Sequence, residues 1–164
     1  MSGKVIQTLR TSPLATFLTE PELRMLAGCG QVHEYAAGQD IVSTDGQDER
    51  LFLLREGKVD LHLIVNTETG QCSGDAHVEL SSPGEPFGWA AWMRPERVGA
   101  SAQALGTVSV AVFDLARLED SEIFLKLSTR MLELLYTRLQ EIGICPPNVQ
   151  ALLKFKRLLR IGEL

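Results

Sequence analysis

Apolar positions along the chain change period twice. Residues 4–10 and 12–28 carry a helical spacing, with Leu23, Leu26 and Ala27 on one face. Ser12 followed by Pro13 suits a helix start. Thr19 with Glu22 three residues on has the form of a capping box, and Gly28 and Gly30 close the segment. From Gln31 to Asp114 the period falls to two. Val59, Leu61, Leu63 and Val65 line one face of a strand over residues 58–65, with Lys58, Asp60 and His62 on the other and Ile64 out of pattern. Gly38, Gly46, Gly57, Gly70, Gly74 and Gly84 mark turns between short runs. Residues 66–75, rich in Thr, Gly and Ser, read as a solvated hairpin loop. Short strands at this spacing predict a mainly β domain, a double-sheet jelly roll or β-roll flanked by helices.

The helical period returns over residues 121–142, with Ser121 as N-cap and Glu122 in the first turn. Leu125, Leu132, Leu135, Leu139 and Ile142 form one apolar stripe; Ile123, Phe124, Leu127, Met131 and Leu134 form a second. One stripe docks a helix on its own barrel. A second predicts a partner, and the expectation is a homodimer through residues 122–142. Gly143 and then Pro146-Pro147 stop this helix, and residues 148–161 read as a short amphipathic helix. The expected organisation is therefore a domain over residues 1–143 and a helical extension over 144–164.

The stretch with the most chemistry is residues 83–101, Pro-Gly-Glu-Pro-Phe-Gly-Trp-Ala-Ala-Trp-Met-Arg-Pro-Glu-Arg-Val-Gly-Ala-Ser. Glycine lets backbone N–H groups turn toward a ligand, a short helix start offers unpaired donors, and a nearby arginine forks over a phosphate. The pattern is that of an anion cradle at Gly88, Trp89 and Ala90.

This stretch resembles the phosphate-binding cassette of the cyclic-nucleotide-binding domain family, of the sensor type found in the catabolite activator protein. Tyr35 to Ile41 resembles the family's first hairpin, Leu51 to Val59 its central strands, and Asp114 after Val110 and Val112 its last strand. Leu80, Pro83-Gly84-Glu85 and Phe87-Gly88 resemble the start of the cassette. The resemblance implies that Phe87, Gly88, Trp89, Ala90, Arg97, Ala100 and Ser101 surround a phosphorylated ligand. It also implies that Thr137 and Arg138 on the long helix meet a nucleobase, partly across a dimer. Arg138 falls among the apolar stripes and needs a partner, either the ligand or an acid of the second subunit.

Two positions depart from the family. The glutamate that accepts a ribose 2′-hydroxyl after Phe-Gly is here Trp89, and indole has no acceptor. Counted back from Ala100-Ser101, the place of the arginine that pairs with the cyclic phosphate holds Val98 or lies one residue away at Arg97; Arg97, with a one-residue bulge, is the expected partner, with Arg94 as the alternative. Arg97 is also compatible with a solvent-exposed loop arginine. Trp89 and Trp92 read first as packing residues and second as stacking surfaces for a base.

Composition narrows the function. The chain has 164 residues, a net charge of −5 and 45% hydrophobic residues, with a pI near 5.2. That balance argues against direct DNA binding, as does the shortness of residues 144–164 beside the ~50 residues of an independent domain. Three separated cysteines, Cys29, Cys72 and Cys145, read as free thiols. His33, His62 and His77 are scattered and predict no metal site. No apolar leader or membrane-length run is present, and a cytoplasmic location is expected. Catalytic motifs are absent. The function expected is a non-enzymatic regulatory domain that senses a cyclic-nucleotide-like ligand, needs no cofactor, and signals through its long helix to a partner the sequence does not name. Two rivals stand beside it. One is a degenerate domain that binds no nucleotide and acts as a dimerising interaction module. The other is a cupin-type enzyme, which the histidine spacing disfavours.

Overall fold

A computed structural model describes residues 2–42, 50–66, 73–88, 98–118 and 121–143. Helix α1 (Ser2–Thr11) and α2 (Glu20–Ala27) bracket a short 3-10 helix, Pro13–Phe17. The starts expected at Ser12 and Thr19 are thus two separate elements, the first a 3-10 helix. Ser12 Oγ accepts from the Leu14 amide and opens the 3-10 turn. Thr19 then demands extended backbone, φ −75° and ψ 165°, because it caps α2. Its hydroxyl accepts from the Glu22 amide while the Glu22 carboxylate accepts from the Thr19 amide, the reciprocal box expected from the sequence.

Eight strands follow: β1 (Gly30–Tyr35), β2 (Asp40–Val42), β3 (Arg50–Glu56), β4 (Val59–Asn66), β5 (Ser73–Leu80), β6 (Pro86–Phe87), β7 (Val98–Ala104) and β8 (Val108–Asp114). They form two four-stranded sheets, ordered β1-β8-β3-β6 and β2-β7-β4-β5, and every pairing is antiparallel. This is the β-roll expected over residues 31–114. Val59, Leu61, Leu63 and Val65 point into the roll and are buried, whereas Ile64 faces out and is 42% exposed. Strand β8 is buried at six consecutive residues, Val108 to Phe113. Such a run needs cover on both faces, and α1 supplies part of it: at Gly30 an added Cβ would lie 2.7 Å from Val5 and 2.6 Å from Phe113.

The hairpin β4–β5 is longer than the sequence suggested. Strand β4 runs to Asn66 and β5 begins at Ser73, so Asp75 belongs to the sheet, opposite Ile64, and not to a loop. The same register places His62 opposite His77.

Helix α3 (Glu122–Glu141) starts at its Ser121 cap, whose hydroxyl accepts from the Phe124 amide. Ile123, Phe124, Leu127, Met131, Leu132, Leu135, Tyr136 and Leu139 are all buried within the one chain. Both apolar stripes are therefore largely covered without a second subunit; the large apolar side chains left open are Leu125 on α3 and Ile142 after it. Lys126 on α3 donates to the Glu22 carboxylate at 2.8 Å, tying the long helix to α2. The expected helix over 148–161, and the extension 144–164 as a whole, lie outside the described residues.

Candidate functional site

The segment leading to the cassette is pinned to β3 by its backbone. The Gly84 amide donates to Leu54 O at 2.7 Å, and the Leu54 amide donates to Glu85 O at 3.0 Å. Pro86 and Phe87 then pair with Leu53 and Phe52. Phe87 is fully buried, its ring stacked on Phe52 at 5.2 Å between centroids. Its contribution is to anchor the cassette in the core. Gly88 follows at φ +96°, and an added Cβ would sit 2.8 Å from Arg50 O and 2.8 Å from the Phe52 ring. Glycine is demanded there twice, by conformation and by space.

Sequence reasoning gave Glu85 no task, yet this carboxylate gathers the region. Its Oε2 accepts from the Ser81 and Ser82 amides at 3.0 Å each. Its Oε1 accepts from Arg138 Nη2 on α3 at 3.4 Å. The Arg138 and Glu85 side chains are 32% and 24% exposed, so the pair is partly shielded from water. The partner that Arg138 needed is thus an acid of its own chain. The signal in the sequence was only half of the pair, an arginine among apolar stripes that needed an acid. Thr137, one residue before Arg138, is exposed.

On β7 the alternation separates two expected site residues. Ala102 and Ala104 are buried on the inner face, and Ala100 is partly buried on the same parity. Ser101 takes the opposite parity. It lies beside His62 on β4, on the outer face that Gln103 shares. For a ligand inside the roll, β7 therefore presents Ala100 and not the Ser101 hydroxyl. Trp89, Ala90, Trp92, Arg94 and Arg97 lie outside the described residues, so of the positions expected to form an anion cradle only Gly88 is described.

The histidines are not all scattered. His62 and His77 stack face to face across β4 and β5, with Asp60 and Asp75 beside them. The residues are far apart in sequence, and the strand register alone joins them.

Two antiparallel four-stranded sheets, entered from N-terminal helices and left through one long helix, with a Phe-Gly step at the end of β6, define a β-roll. The sequence model of the cyclic nucleotide-binding domain matches residues 32–121, and the chain belongs to that family. Among curated proteins no sequence match is found. Solved structures share the fold. The regulatory domain of Toxoplasma gondii PKA, crystallised with cAMP, is 17% identical with a TM-score of 0.53, over 68% of this chain and 41% of that one. The Thermus thermophilus catabolite activator protein is 22% identical with a TM-score of 0.55, over 80% of this chain and 62% of that one. The N-terminal domain of a transcriptional regulator from Streptomyces coelicolor is 20% identical with a TM-score of 0.56, over 86% and 99%. The chain thus spans less than half of the first and nearly all of the third. Among the described residues no helix is long and apolar enough to cross a membrane.

Proposed function

We infer that this chain is a non-enzymatic regulatory domain that binds a small phosphorylated, cyclic-nucleotide-like ligand and passes its state to α3. The observation that carries this reading is the position of Glu85, between the turn that leads into the cassette and Arg138 on the long helix. The backbone amides after Gly88, together with Arg97, supply donors for an anion. Ala100 leaves room for the ligand, and Thr137 and Arg138 are the residues of α3 in reach of a base. In this reading Arg138 turns from Glu85 to the ligand, so that occupancy and loss of this ion pair become one event. That gives the ligand unequal affinity for the two positions of α3, which is what a signal requires.

Trp89 shapes the specificity. Without the carboxylate that accepts the ribose hydroxyl, cyclic AMP loses a hydrogen bond worth about 1.5–3 kcal/mol, or about ten- to a hundredfold in affinity. A ligand that does not depend on that hydroxyl is favoured. The domain works over residues 1–143, in the cytoplasm, without contacting DNA itself. A homodimer through α3 rests on a narrower base than the two stripes suggested: Leu125 and the polar positions around it.

Calorimetric titration of the full chain with cyclic AMP and cyclic GMP tests this. Weak binding is expected, strengthened by Trp89→Glu and weakened by Arg97→Ala. Submicromolar affinity of the unaltered protein for cyclic AMP refutes the role given to Trp89. If no nucleotide binds any of the three proteins, the domain is an interaction module, the alternative that a tryptophan in the ribose position favours.

A further inference from the structure

We propose that the outer face of the β4–β5 hairpin holds a divalent transition-metal ion, of the zinc or cobalt kind, between His62, His77 and Asp75. This face lies on the opposite side of the sheet from the interior of the roll and is independent of the nucleotide reading. One ligand atom from each of the three residues lies within 4.8 Å of the others. The two imidazoles stack in parallel to within 3°, with centroids 4.2 Å apart; a nitrogen lone pair lies in its ring plane, so the exposed His77 ring must turn for both to point at one ion. Two histidines and one carboxylate are a donor set suited to zinc and its neighbours in the first transition row, leaving a position for water.

Two further features make this more than a chance grouping. His62 Nε2 is closed off from solvent and makes no hydrogen bond, although Asp75 Oδ1 lies 3.2 Å away. A buried ring nitrogen without a hydrogen bond is a costly arrangement, and a lone pair aimed at a metal resolves it. The second feature is Asp60, whose carboxylate faces His77 Nδ1 at 2.9 Å. Donation from Nδ1–H to that carboxylate fixes the tautomer and leaves the lone pair on Nε2, the orienting arrangement that metal-binding histidines use.

The strand register produces all four positions. His62 faces His77, while Asp75 and Asp60 sit two residues along on the same diagonal, opposite Ile64 and Glu79. On the other flank β7 presents Gly99, Ser101 and Gln103 toward Ile64, His62 and Asp60. The outward positions of β4 and β5 from residue 60 to 64 and from 75 to 79 therefore carry Asp60, Asp75 and Glu79 and no lysine or arginine, so the local field favours a cation. Around a tetrahedral ion, bonds of about 2.0–2.2 Å set ligand atoms about 3.3 Å apart. The three groups must close by roughly 1.5 Å on that geometry. The Asp75 and His77 side chains are 63% and 60% exposed and have the freedom to do so.

The test uses the untagged full chain, stripped with chelator and titrated with zinc chloride by calorimetry and with cobalt(II) by visible absorption. One equivalent of zinc should bind in the micromolar range or tighter. Cobalt should give ligand-field bands without a near-ultraviolet sulfur charge-transfer band. His62→Ala and His77→Ala should each abolish the isotherm, His33→Ala should leave it unchanged, and Asp60→Asn should weaken it by about 10–100-fold. Because these side chains lie on the outer face, circular dichroism of the variants should match the parent. Absence of zinc binding overturns the proposal, as does binding that survives the His62→Ala/His77→Ala double variant or that shows a thiolate band.

Discussion

Replacing Gly88 with alanine separates two reasons for a glycine at the mouth of the cassette. The left-handed conformation, φ +96°, costs an L-residue about 1–2 kcal/mol. Crowding adds to this, because the new Cβ would meet Arg50 O and the Phe52 ring at 2.8 Å. One neighbour is backbone of β3 and the other is a core ring stacked on Phe87, so neither yields easily. Overpacking of this kind costs about 1–3 kcal/mol. Gly38 provides the control. It has a similar φ of +84° but nothing within 4 Å of an added Cβ, so Gly38→Ala bears the conformational cost alone. The lower chain entropy of unfolded alanine, about 0.4–1 kcal/mol, benefits both variants equally. Gly88→Ala should therefore be less stable than Gly38→Ala by about 1–3 kcal/mol. Near the melting point that is about 2–12 °C for a chain of this size. Urea unfolding followed by circular dichroism measures the difference. If the two variants unfold within about 0.5 kcal/mol of each other, the packing of Gly88 against β3 is wrong and the position answers to conformation or ligand only.

Three other outcomes are expected. Leu135 is fully buried, so Leu135→Glu should unfold the chain, at more than about 4 kcal/mol, and sedimentation should find no folded monomer; Leu125→Lys, at a 47% exposed position, should keep the fold. The Glu22 carboxyl is held below its ordinary range, first by the hydrogen bond from Lys126 and next by the Thr19 amide. Its stabilisation is present above the unfolded carboxyl pKa and lost as pH falls through the lower folded value, so Glu22→Gln should flatten the acid limb of a stability–pH curve. The Lys126 ammonium, raised chiefly by its hydrogen bond to Glu22, loses its share only as pH rises through its folded value, and Glu22→Gln should blunt that alkaline limb as well. A double-mutant cycle with Glu85→Gln and Arg138→Gln should give a coupling of about 0.5–1 kcal/mol for a pair this exposed, and no coupling would remove the link between cassette and helix.

The roll was legible because the period-two pattern is dictated by a half-buried strand, and Val59, Leu61, Leu63 and Val65 follow it closely. The Thr19 box and the Ser121 cap were legible for the same kind of reason, since their partners are three residues away. What escaped was long-range. Glu85 and Arg138 meet only because α3 packs back over the turn before β6. His62 and Asp75 meet only through the β4–β5 register, and a run of Thr, Gly and Ser hid that Asp75 belongs to a strand. The two stripes on α3 were read correctly as apolar, but periodicity says that a face is covered and not which chain covers it. Ser101 fell to the outer face because motif spacing alone carries no strand parity.

The pairing of β1 with β8 sets an order on how this chain acquires structure. Gly30 has Phe113 as its partner, and Val5 of α1 packs at the same point. As the polypeptide leaves the ribosome, its first three helical segments are complete long before the finished sheet exists to receive them. The packing of α1 at this point is complete only once Phe113 has emerged. Short amphipathic helices are marginal in isolation, and pairings between distant residues form slowly. Synthesis halted before Val108 should leave β1 without a partner and β3 paired on one side only, a chain open to chaperones and proteases, while the seven residues of β8 allow the first sheet to close.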